Sequence, residues 1–269
     1  MESRNLQIDF RWASSDLEVM QRFAKELISL QPDLILSNNT PTTETLLKQT
    51  HSVPIIFATV ADPIGSGFVA DLARPNGNVT GFITTEASLG GKWLELLKEL
   101  VPRITRAAML YNPASATYAD YYLNPFKTAA ASLGVEAIAA PVYDTSEFES
   151  VFGTQAREPN GGLIVMPDTF LIAHRAEITS LANRYRLPTV YPYRYFAAEG
   201  GLLSYGDDLT DNFRRAASYI DRILKGAKPS ELPVQAPVRF DLVINLKTAK
   251  ALGLEVPLFF QQRASEVIE

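Results

Sequence analysis

Polar side chains follow the predicted strands, at the places where a parallel sheet exposes its carboxyl-end loops. Asn38, Asn39 and Thr40 come directly after the apolar run at 33–37, and Thr42 lies in the first turn of the next predicted helix. In open α/β sheets, ligands bind beyond the carboxyl ends of the strands. Backbone N–H groups and the positive end of a helix dipole suit a carboxylate or another anion there. Plain N-capping by Asn39 or Thr40 is the alternative role, and the two roles are compatible.

Carboxylates occupy comparable places further along the chain. Asp62 follows another predicted strand, and Asp168 ends the apolar run Gly-Leu-Ile-Val-Met-Pro. A carboxylate at such a place can hold a ligand ammonium group through a charge-assisted hydrogen bond, and Asp168 is the most pointed candidate for this role. Both residues also have a structural alternative. Asp62 precedes a proline in a turn, and Asp168 can cap the helix predicted from Leu171.

The second half of the chain repeats the pattern. Asn112 and Ser115 follow a strand predicted at 107–111, although Asn112 followed by proline is also a common turn signal. Tyr193 lies just beyond another strand, where its ring can stack on an aromatic or apolar ligand side chain. These three residues are therefore further candidates for the ligand site.

The pattern of residues 200–245, in the last quarter of the chain, predicts a strand, a polar turn, a long amphipathic helix and a returning strand. Because the rest of the chain alternates strands with helices, this path indicates a chain that leaves one lobe and comes back. Tyr205 and Asp207 lie at the predicted crossing, which makes them hinge or ligand-site residues. Asp207 or Asp208 can instead cap the helix that starts near Leu209.

The alternation of apolar strands with helical patterns predicts an α/β protein with parallel sheets that are covered on both faces. Residues 1–103 plus 207–234 are predicted to form an N-terminal lobe, and residues 104–206 plus 235–269 a C-terminal lobe. No long Gly/Ser linker separates the halves, so a packed hinge is expected. The chain opens on an alternating segment at 6–12, which predicts an edge strand and indicates that a preceding strand–helix unit is missing.

Composition excludes several classes of protein. The 269 residues carry a net charge of −5 without a basic stripe, which argues against nucleic acid as a partner. Cysteine is absent, which removes thiol nucleophiles and cysteine–zinc sites, and His51 and His174 lie too far apart to suggest a metal site. No GxSxG, P-loop or HExxH motif is present. We therefore predict a protein that is not an enzyme and has no metal and no cofactor. The N-terminus has no hydrophobic segment typical of a signal peptide.

Eight short motifs, in order along almost the whole chain, carry a resemblance to a known family. They lie at residues 40–42, 60–65, 78–81, 111–113, 166–168, 200–207, 223–235 and 242–245. With these motifs the chain resembles the ABC-transporter substrate-binding proteins of the type I periplasmic binding fold. It is most similar to the branch that includes tryptophan- and other aromatic-amino-acid-binding lipoproteins.

The resemblance implies two Rossmann-like lobes with parallel sheets joined by a multi-crossover hinge, with the N-terminal lobe incomplete in this chain. It implies the extracytoplasmic solute-binding component of an ABC importer, which captures a small amino-acid-like or carboxylate ligand in the inter-lobe cleft. The closed lobes would then face an ABC permease in the membrane. A periplasmic location and a monomer are expected, with a dimer as the alternative if a neighbouring copy replaces the missing unit.

Two other functions are consistent with a two-lobed α/β chain. The first is an effector-binding domain of a sensory or regulatory protein with the same fold. The second is an enzyme such as an amino-acid racemase or a glycosyltransferase. The absence of cysteine excludes a two-cysteine racemase, and neither a phosphate loop nor a set of metal carboxylates is recognisable for a sugar-nucleotide enzyme.

Overall fold

The computed structural model describes residues 6–269, which form two compact units. Unit 1 comprises the described residues up to Phe82 together with Phe213–Gln235, and unit 2 comprises Ile83–Asn212 and Ala236–Glu269. The chain therefore passes from one unit to the other three times. Its last quarter leaves unit 2 after Asn212 and returns to it at Ala236.

The elements alternate in the manner of an α/β protein. The strands are, in chain order, β1 (Ile35–Asn39), β2 (Ile55–Val60), β3 (Val79–Ile83), β4 (Arg106–Tyr111), β5 (Glu136–Pro141), β6 (Gly161–Val165), β7 (Thr189–Tyr191), β8 (Leu203–Asp207), β9 (Phe240–Asn245) and β10 (Glu266–Ile268). The helices are α1 (Leu17–Ser29), α2 (Thr40–Leu47), α3 (Leu89–Leu100), α4 (Ala119–Leu133), α5 (Phe148–Arg157), α6 (Thr169–Ala173), α7 (Arg175–Arg184), α8 (Arg194–Ala198), α9 (Leu209–Leu224), α10 (Leu246–Ala251) and α11 (Leu258–Gln262). None of these helices combines the length and the hydropathy needed to span a bilayer.

Unit 1 is built on a three-stranded sheet of order β1-β2-β3, in which β1 and β2 run parallel. One face of the sheet packs against α9 through apolar residues of β2 and β3. Ile56 and Phe82 of the sheet form a buried cluster with Tyr219 and Ile223 of that helix and with Leu232. The parallel pairing of β1 and β2 places their carboxyl ends at the same edge of the sheet.

Unit 2 has a seven-stranded sheet of order β10-β9-β8-β7-β6-β4-β5, with β8 and β9 antiparallel and the other neighbours parallel. Both faces of its centre are covered. Leu163 and Val165 of β6 pack with Phe148 and Phe152 on one face. A Cβ atom added at Gly162, on the other face, would lie 2.7 Å from Leu97 of α3. Strands buried on both faces are continuous apolar runs, and the predicted α/β class with parallel sheets is confirmed.

The unit boundaries differ from the predicted lobe boundaries by about twenty residues at the first crossing. Helix α3 belongs to unit 2 because it packs closely along α4. The approach requires glycine, since a Cβ atom at Gly90 would lie 2.2 Å from the carbonyl oxygen of Tyr122. Residues 207–212 also lie in unit 2, where Asp207 ends β8.

Substituting this glycine is expected to destabilise unit 2. Gly90→Ala should lower the free energy of unfolding by about 1–3 kcal/mol, because α3 must move away from α4 to relieve the contact. Gly153→Ala is the matched control, since Gly153 is also helical and an added Cβ atom has no neighbour closer than 3.7 Å. The control should stabilise the protein by about 0.5–1 kcal/mol through helix propensity. Urea denaturation of both variants measures the difference, and equal effects would contradict it.

The predicted edge strand at 6–12 is wrong. Residues 7–13 form no strand, and Leu6 makes an isolated bridge. The side chains of Phe10 and Trp12 stack on each other with ring centroids 6.2 Å apart, and they are 60% and 81% exposed. An alternating pattern needs a sheet face on which its apolar side chains can pack, and this segment has none within the described residues.

Two predicted helices have different boundaries in the structure. The pattern of residues 115–133 predicts a helix from Ser115, whereas α4 begins at Ala119, because the Asn112 side chain accepts hydrogen bonds from the backbone amides of Ala114 and Ser115 and holds a turn there. The pattern of residues 171–185 predicts a single helix from Leu171, whereas the structure has two helices, α6 and α7, which meet at His174. The short elements α8, α10, α11 and β10 were not predicted.

Candidate functional site

In unit 1, β1 runs directly into α2, and Asn39 is the N-cap of that helix. The Asn39 Oδ1 atom accepts a hydrogen bond from the Thr42 amide at 3.1 Å. The Thr42 hydroxyl oxygen accepts one from the Asn39 amide, also at 3.1 Å, which completes a capping box. The capping role expected for Asn39 is therefore present in the structure.

The neighbouring residues join this helix start to the end of β2. The Thr40 hydroxyl accepts a hydrogen bond from the Ala61 amide at 3.0 Å and donates one to the Ala61 carbonyl at 3.3 Å. The Thr59 hydroxyl donates to Asn38 Oδ1 at 3.1 Å. The structure thus brings together four predicted ligand residues, Asn38, Asn39, Thr40 and Thr42, at one edge of the unit 1 sheet.

Amide donors at this edge remain free. The Oδ1 atom of Asn39 accepts a hydrogen bond from the Thr42 backbone amide, which fixes the orientation of the Asn39 side-chain amide, whereas the Thr59 hydroxyl contacts both the carbonyl and Oδ1 of Asn38. The Nδ2 atoms of the two asparagines have no protein partner among residues 6–269. Asn38 is exposed and Asn39 is half-buried. Free N–H groups next to the positive end of α2 suit a negatively charged ligand group.

Asp62 is used within its own loop. Its backbone has a φ of 45°, and its Oδ1 atom accepts a hydrogen bond from the Gly65 amide at 2.8 Å. The side chain also occupies the place that a Cβ atom on Gly65 would need, 2.0 Å from Asp62 Oδ2. The turn role expected as the alternative for Asp62 is present, and its contact with a ligand stays a prediction.

In unit 2, Asp168 is the centre of a buried network. Its carboxylate accepts hydrogen bonds from the backbone amide of Asn112 at 2.6 Å and from the Ser115 hydroxyl at 2.6 Å. As the N-cap of α6, it also accepts from the amides of Phe170 and Leu171, at 2.7 and 3.4 Å. Burial raises the pKa of Asp168, and these donors oppose the rise.

The same network joins three adjacent loops of unit 2. Asn112, beyond β4, donates from Nδ2 to the Tyr143 carbonyl beyond β5 at 3.2 Å. Tyr118 donates to the Pro167 carbonyl beyond β6 at 2.6 Å. The predicted residues Asn112, Ser115 and Asp168 therefore lie together. Three of the four donors bond to Asp168 Oδ1, and only the Asn112 backbone amide bonds to Oδ2.

A second polar cluster surrounds Asp207 at the end of β8. The Thr84 hydroxyl donates to Asp207 Oδ1 at 3.1 Å and lies 2.9 Å from the Tyr193 hydroxyl. The side-chain Nδ2 of Asn212 donates to Asp207 Oδ2 at 2.8 Å. Asp208, not Asp207, caps α9, because its Oδ1 atom accepts from the Thr210 amide. Two predicted residues, Tyr193 and Asp207, meet here.

The environment of Asp207 differs from that of Asp168. Burial, together with the neighbouring charge of Asp208, raises the pKa of Asp207 to about 7, although hydrogen bonds from Thr84 and Asn212 oppose the rise. Its side-chain donors are Thr84 and Asn212, and its own amide lies close, so at least one acceptor position remains. Asp207 is 6% exposed, whereas Asp168 is 0% exposed.

Aromatic residues complete this part of unit 2. The Tyr205 ring stacks on Phe240 with centroids 5.8 Å apart, and its carbonyl accepts a hydrogen bond from Trp93 Nε1 at 2.7 Å. Trp93 also packs against Tyr122, whose hydroxyl binds the hydroxyl of Thr85. Tyr122 is fully buried, so its role in the structure is packing.

Sequence reasoning missed Thr84, Thr85, Trp93 and Asn212. Thr84 and Thr85 follow β3, so the rule that selected polar residues after strands could have found them. Asn212 lies on a helix and carries no motif. Among the described residues, no group of three or more His, Asp or Glu side chains is arranged to hold a metal ion.

Comparisons with known proteins give a consistent result. The model of the ABC transporter substrate binding protein family matches residues 1–268. A tyrosine-binding protein of Clostridioides difficile is 26% identical over 251 residues, which are 93% of this chain and 72% of that protein. The crystal structure of an ABC domain in complex with L-Trp from Streptococcus pneumoniae superposes with a TM-score of 0.89 at 28% identity, covering 98% of this chain and 90% of that one.

A conserved domain protein from Vibrio cholerae superposes with a TM-score of 0.92 at 27% identity, covering 99% of this chain and 88% of that chain. These relatives extend over nearly the whole chain, as does the family model. The arrangement of polar groups at the carboxyl ends of the strands in each unit agrees with this assignment. The chain therefore belongs to the family of ABC transporter substrate-binding proteins.

Proposed function

We propose that the protein is the extracytoplasmic receptor of an ABC importer and that its solute is a free amino acid with an aromatic side chain. The solute class is supported by two relatives, one described as a tyrosine-binding protein and the other crystallised with L-Trp. An ABC permease is the partner implied by the family, and the periplasm is the proposed location. The observation that carries the proposal is the free acceptor position on Asp207.

Asp207 is the proposed acceptor of the ligand ammonium group. It retains an acceptor position, has two side-chain donors and is 6% exposed, whereas Asp168 holds four donors and is 0% exposed, so a ligand group reaches Asp207 more readily. An ammonium group bound to a desolvated carboxylate forms a strong, charge-assisted hydrogen bond. Asp168 then serves binding indirectly, because it holds the loops that carry Asn112 and Ser115.

The proposed acceptors of the ligand carboxylate lie in unit 1. The Nδ2 atom of Asn39 is a free donor beside the N-terminus of α2, and the exposed side-chain amide of Asn38 lies next to it in the chain. A carboxylate there would receive hydrogen bonds from neutral amides and a favourable field from the helix dipole. The chemistry needed for the two charged ends of an amino acid is therefore present in the chain.

Titration calorimetry with modified ligands tests this assignment. L-Tryptophan and L-tyrosine should bind, N-acetyl-L-tryptophan should lose affinity because it has no ammonium group, and L-tryptophan amide should lose affinity because it has no carboxylate. At the ammonium end, removing one partner of a desolvated charge pair costs about 2–5 kcal/mol, a loss of about 30-fold or more. At the carboxylate end, where the proposed partners are neutral amides, a hydrogen bond to a charged group contributes about 1.5–3 kcal/mol, a loss of about 10-fold or more. Binding of sugars or nucleotides without any response to amino acids would refute the proposed function.

The substitution Asn39→Asp separates capping from ligand recognition. Asp caps a helix as well as Asn does, so the free energy of unfolding should change by no more than about 0.5 kcal/mol. The free Nδ2 donor becomes a carboxylate oxygen that repels the ligand carboxylate, so the affinity for L-tryptophan should fall about 30-fold or more. Asn76→Asp adds the same charge in an exposed loop before β3 and should change the affinity less than about twofold. Equal affinities for the two variants would contradict the role of Asn39.

A further inference from the structure

Asn212 joins two of the segments through which the chain passes from unit to unit. Its Nδ2 atom donates to the Ile83 carbonyl at 3.3 Å and to Asp207 Oδ2 at 2.8 Å. Ile83 is the first residue of unit 2, and Asn212 is the last one before Phe213. Asn212 is 1% exposed, so its two hydrogen bonds form away from competing water.

The cluster can hold Asp207 with or without a proton. When Asp207 is ionised, the Thr84 hydroxyl donates to Oδ1 and is free to accept from the Tyr193 hydroxyl. When Oδ1 carries a proton, that proton can be donated to Thr84, which then donates to Tyr193. Two hydroxyl rotations exchange these states. Asn212 Nδ2 can only donate a hydrogen bond, so Oδ2 is an acceptor in both states. This bond opposes the rise that burial causes in the pKa of Asp207.

We propose that amino-acid capture releases the proton of Asp207 to solvent, and that Asn212 is the positioning residue that holds this carboxylate for the exchange. The proposal rests on the proposed function, since it requires the ligand ammonium group to bind Asp207. A neutral carboxyl group and an ammonium ion become a carboxylate–ammonium pair, and one proton leaves. No other group needs to change its protonation.

The charged and titratable surroundings support this assignment. No positively charged side chain among those described bonds to Asp207. The ionisable groups that face or adjoin it are acidic or phenolic, namely Asp208, Tyr193, Tyr195 and Asp241. Asp241, on β9, forms an ion pair with Arg239. The bound ammonium group would supply the missing positive charge. The pKa of Asp207, raised to about 7 by burial, places the proton release in the neutral range.

The affinity for L-tryptophan should therefore depend on pH in a defined direction. Below the pKa of Asp207, binding must displace a full proton, so the dissociation constant should rise about tenfold for each pH unit of acidification. Above about pH 8 the carboxylate is already ionised, and the affinity should be constant. Calorimetry in two buffers of different ionisation enthalpy should detect the release of about one proton at pH 6 and almost none at pH 8.5.

Two variants test the positioning role through the midpoint of this pH profile. Asn212→Leu removes a donor to the ionised form, so the midpoint should move up by about one pH unit, with the affinity lowered about fivefold at pH 7 and little at pH 8.5. Thr84→Val removes the other donor with little change of shape and should move the midpoint in the same direction. Asn183→Leu breaks a comparable hydrogen bond to the Gly200 carbonyl at 3.1 Å in unit 2 and should leave the midpoint unchanged.

The outcomes distinguish a failure of the proton-release inference from a failure of the proposed function. An affinity for L-tryptophan that is independent of pH, without proton release, would overturn the inference and leave the proposed function standing. An equal loss of affinity at every pH in Asn212→Leu and Thr84→Val would overturn the positioning role. A wild-type protein that binds no amino acid at any pH would refute the proposed function itself.

Discussion

Asp207→Asn is expected to weaken the binding of L-tryptophan by about 100-fold or more. The variant keeps the shape of the side chain, and its amide can still accept from Asn212 while donating to Thr84, so the cluster stays intact. It cannot offer a negative charge to the ligand ammonium group. Truncating one partner of a buried, hydrogen-bonded charge pair costs about 2–5 kcal/mol, mainly through faster dissociation. Calorimetry at pH 8 measures the change.

The same variant should have the opposite effect on stability. In the wild type, the raised pKa of Asp207, about 7, means that the folded protein keeps a proton that the unfolded chain releases near its ordinary pKa of about 3.9. The stabilising contribution is complete below pH 4 and is lost as the pH rises to 7. Asp207→Asn has no carboxyl group that must lose this proton. The difference in melting temperature between the variant and the wild type should therefore increase from pH 4 to pH 7, and at pH 8 the variant should melt at the higher temperature.

Asp208→Asn is the matched control for both measurements. Asp208 is adjacent, carries the same charge and caps α9, a role that Asn fulfils equally well. Its affinity for L-tryptophan should stay within about threefold of the wild type, because it makes no bond in the cluster. If the two variants lost affinity equally, a general effect of negative charge would replace the specific contact at Asp207.

Asp168→Ala is expected to lower the free energy of unfolding by about 3 kcal/mol. The substitution leaves the Asn112 amide, the Ser115 hydroxyl and the Phe170 amide without their acceptor, and each unsatisfied buried donor costs about 1–3 kcal/mol. Removing a buried charge offsets part of that cost. Urea denaturation checks the stability, and calorimetry well below the melting temperature checks the affinity for L-tryptophan.

Asp168→Asn provides a graded comparison. It keeps one oxygen for Ser115 and for the α6 amides but places an NH2 group against the Asn112 amide, so an intermediate loss of stability is expected. The sequence alone predicts the reverse pattern, in which Asp168 binds the ligand ammonium group directly. An unchanged melting temperature with abolished binding in Asp168→Ala would support that direct contact and contradict the role assigned from the hydrogen bonds.

Much of the fold could be predicted from the sequence. Long apolar strands such as β2 and β6 are recognisable because a doubly covered sheet requires them to be apolar throughout. Helices α8, α10 and α11 were missed because five or six residues contain too few turns to produce a helical periodicity. The segment at 6–12 has the alternation of a strand, but pattern alone does not supply the neighbour that a strand needs.

The candidate site could be predicted only as a set of positions. The rule that ligands bind beyond strand ends selected Asn39 and Asp168, the predicted crossing between lobes selected Asp207, and each of the three could also cap a helix. Their difference lies in how many donors surround each carboxylate or amide, which depends on residues distant in sequence. Asn112 is 56 residues from Asp168, and Thr84 is 123 residues from Asp207.

The two tryptophans give the protein a built-in optical reporter. Trp12 is 81% exposed, whereas Trp93 is 0% exposed and donates its indole N–H to Tyr205, two residues from Asp207. A water-soluble quencher such as iodide therefore reaches Trp12 and not Trp93. In a Trp12→Phe background, with L-tyrosine as the titrant and excitation selective for indole, the emission comes from Trp93 alone. The emission wavelength and the fluorescence lifetime of Trp93 then report changes in the surroundings of β8 without any attached dye.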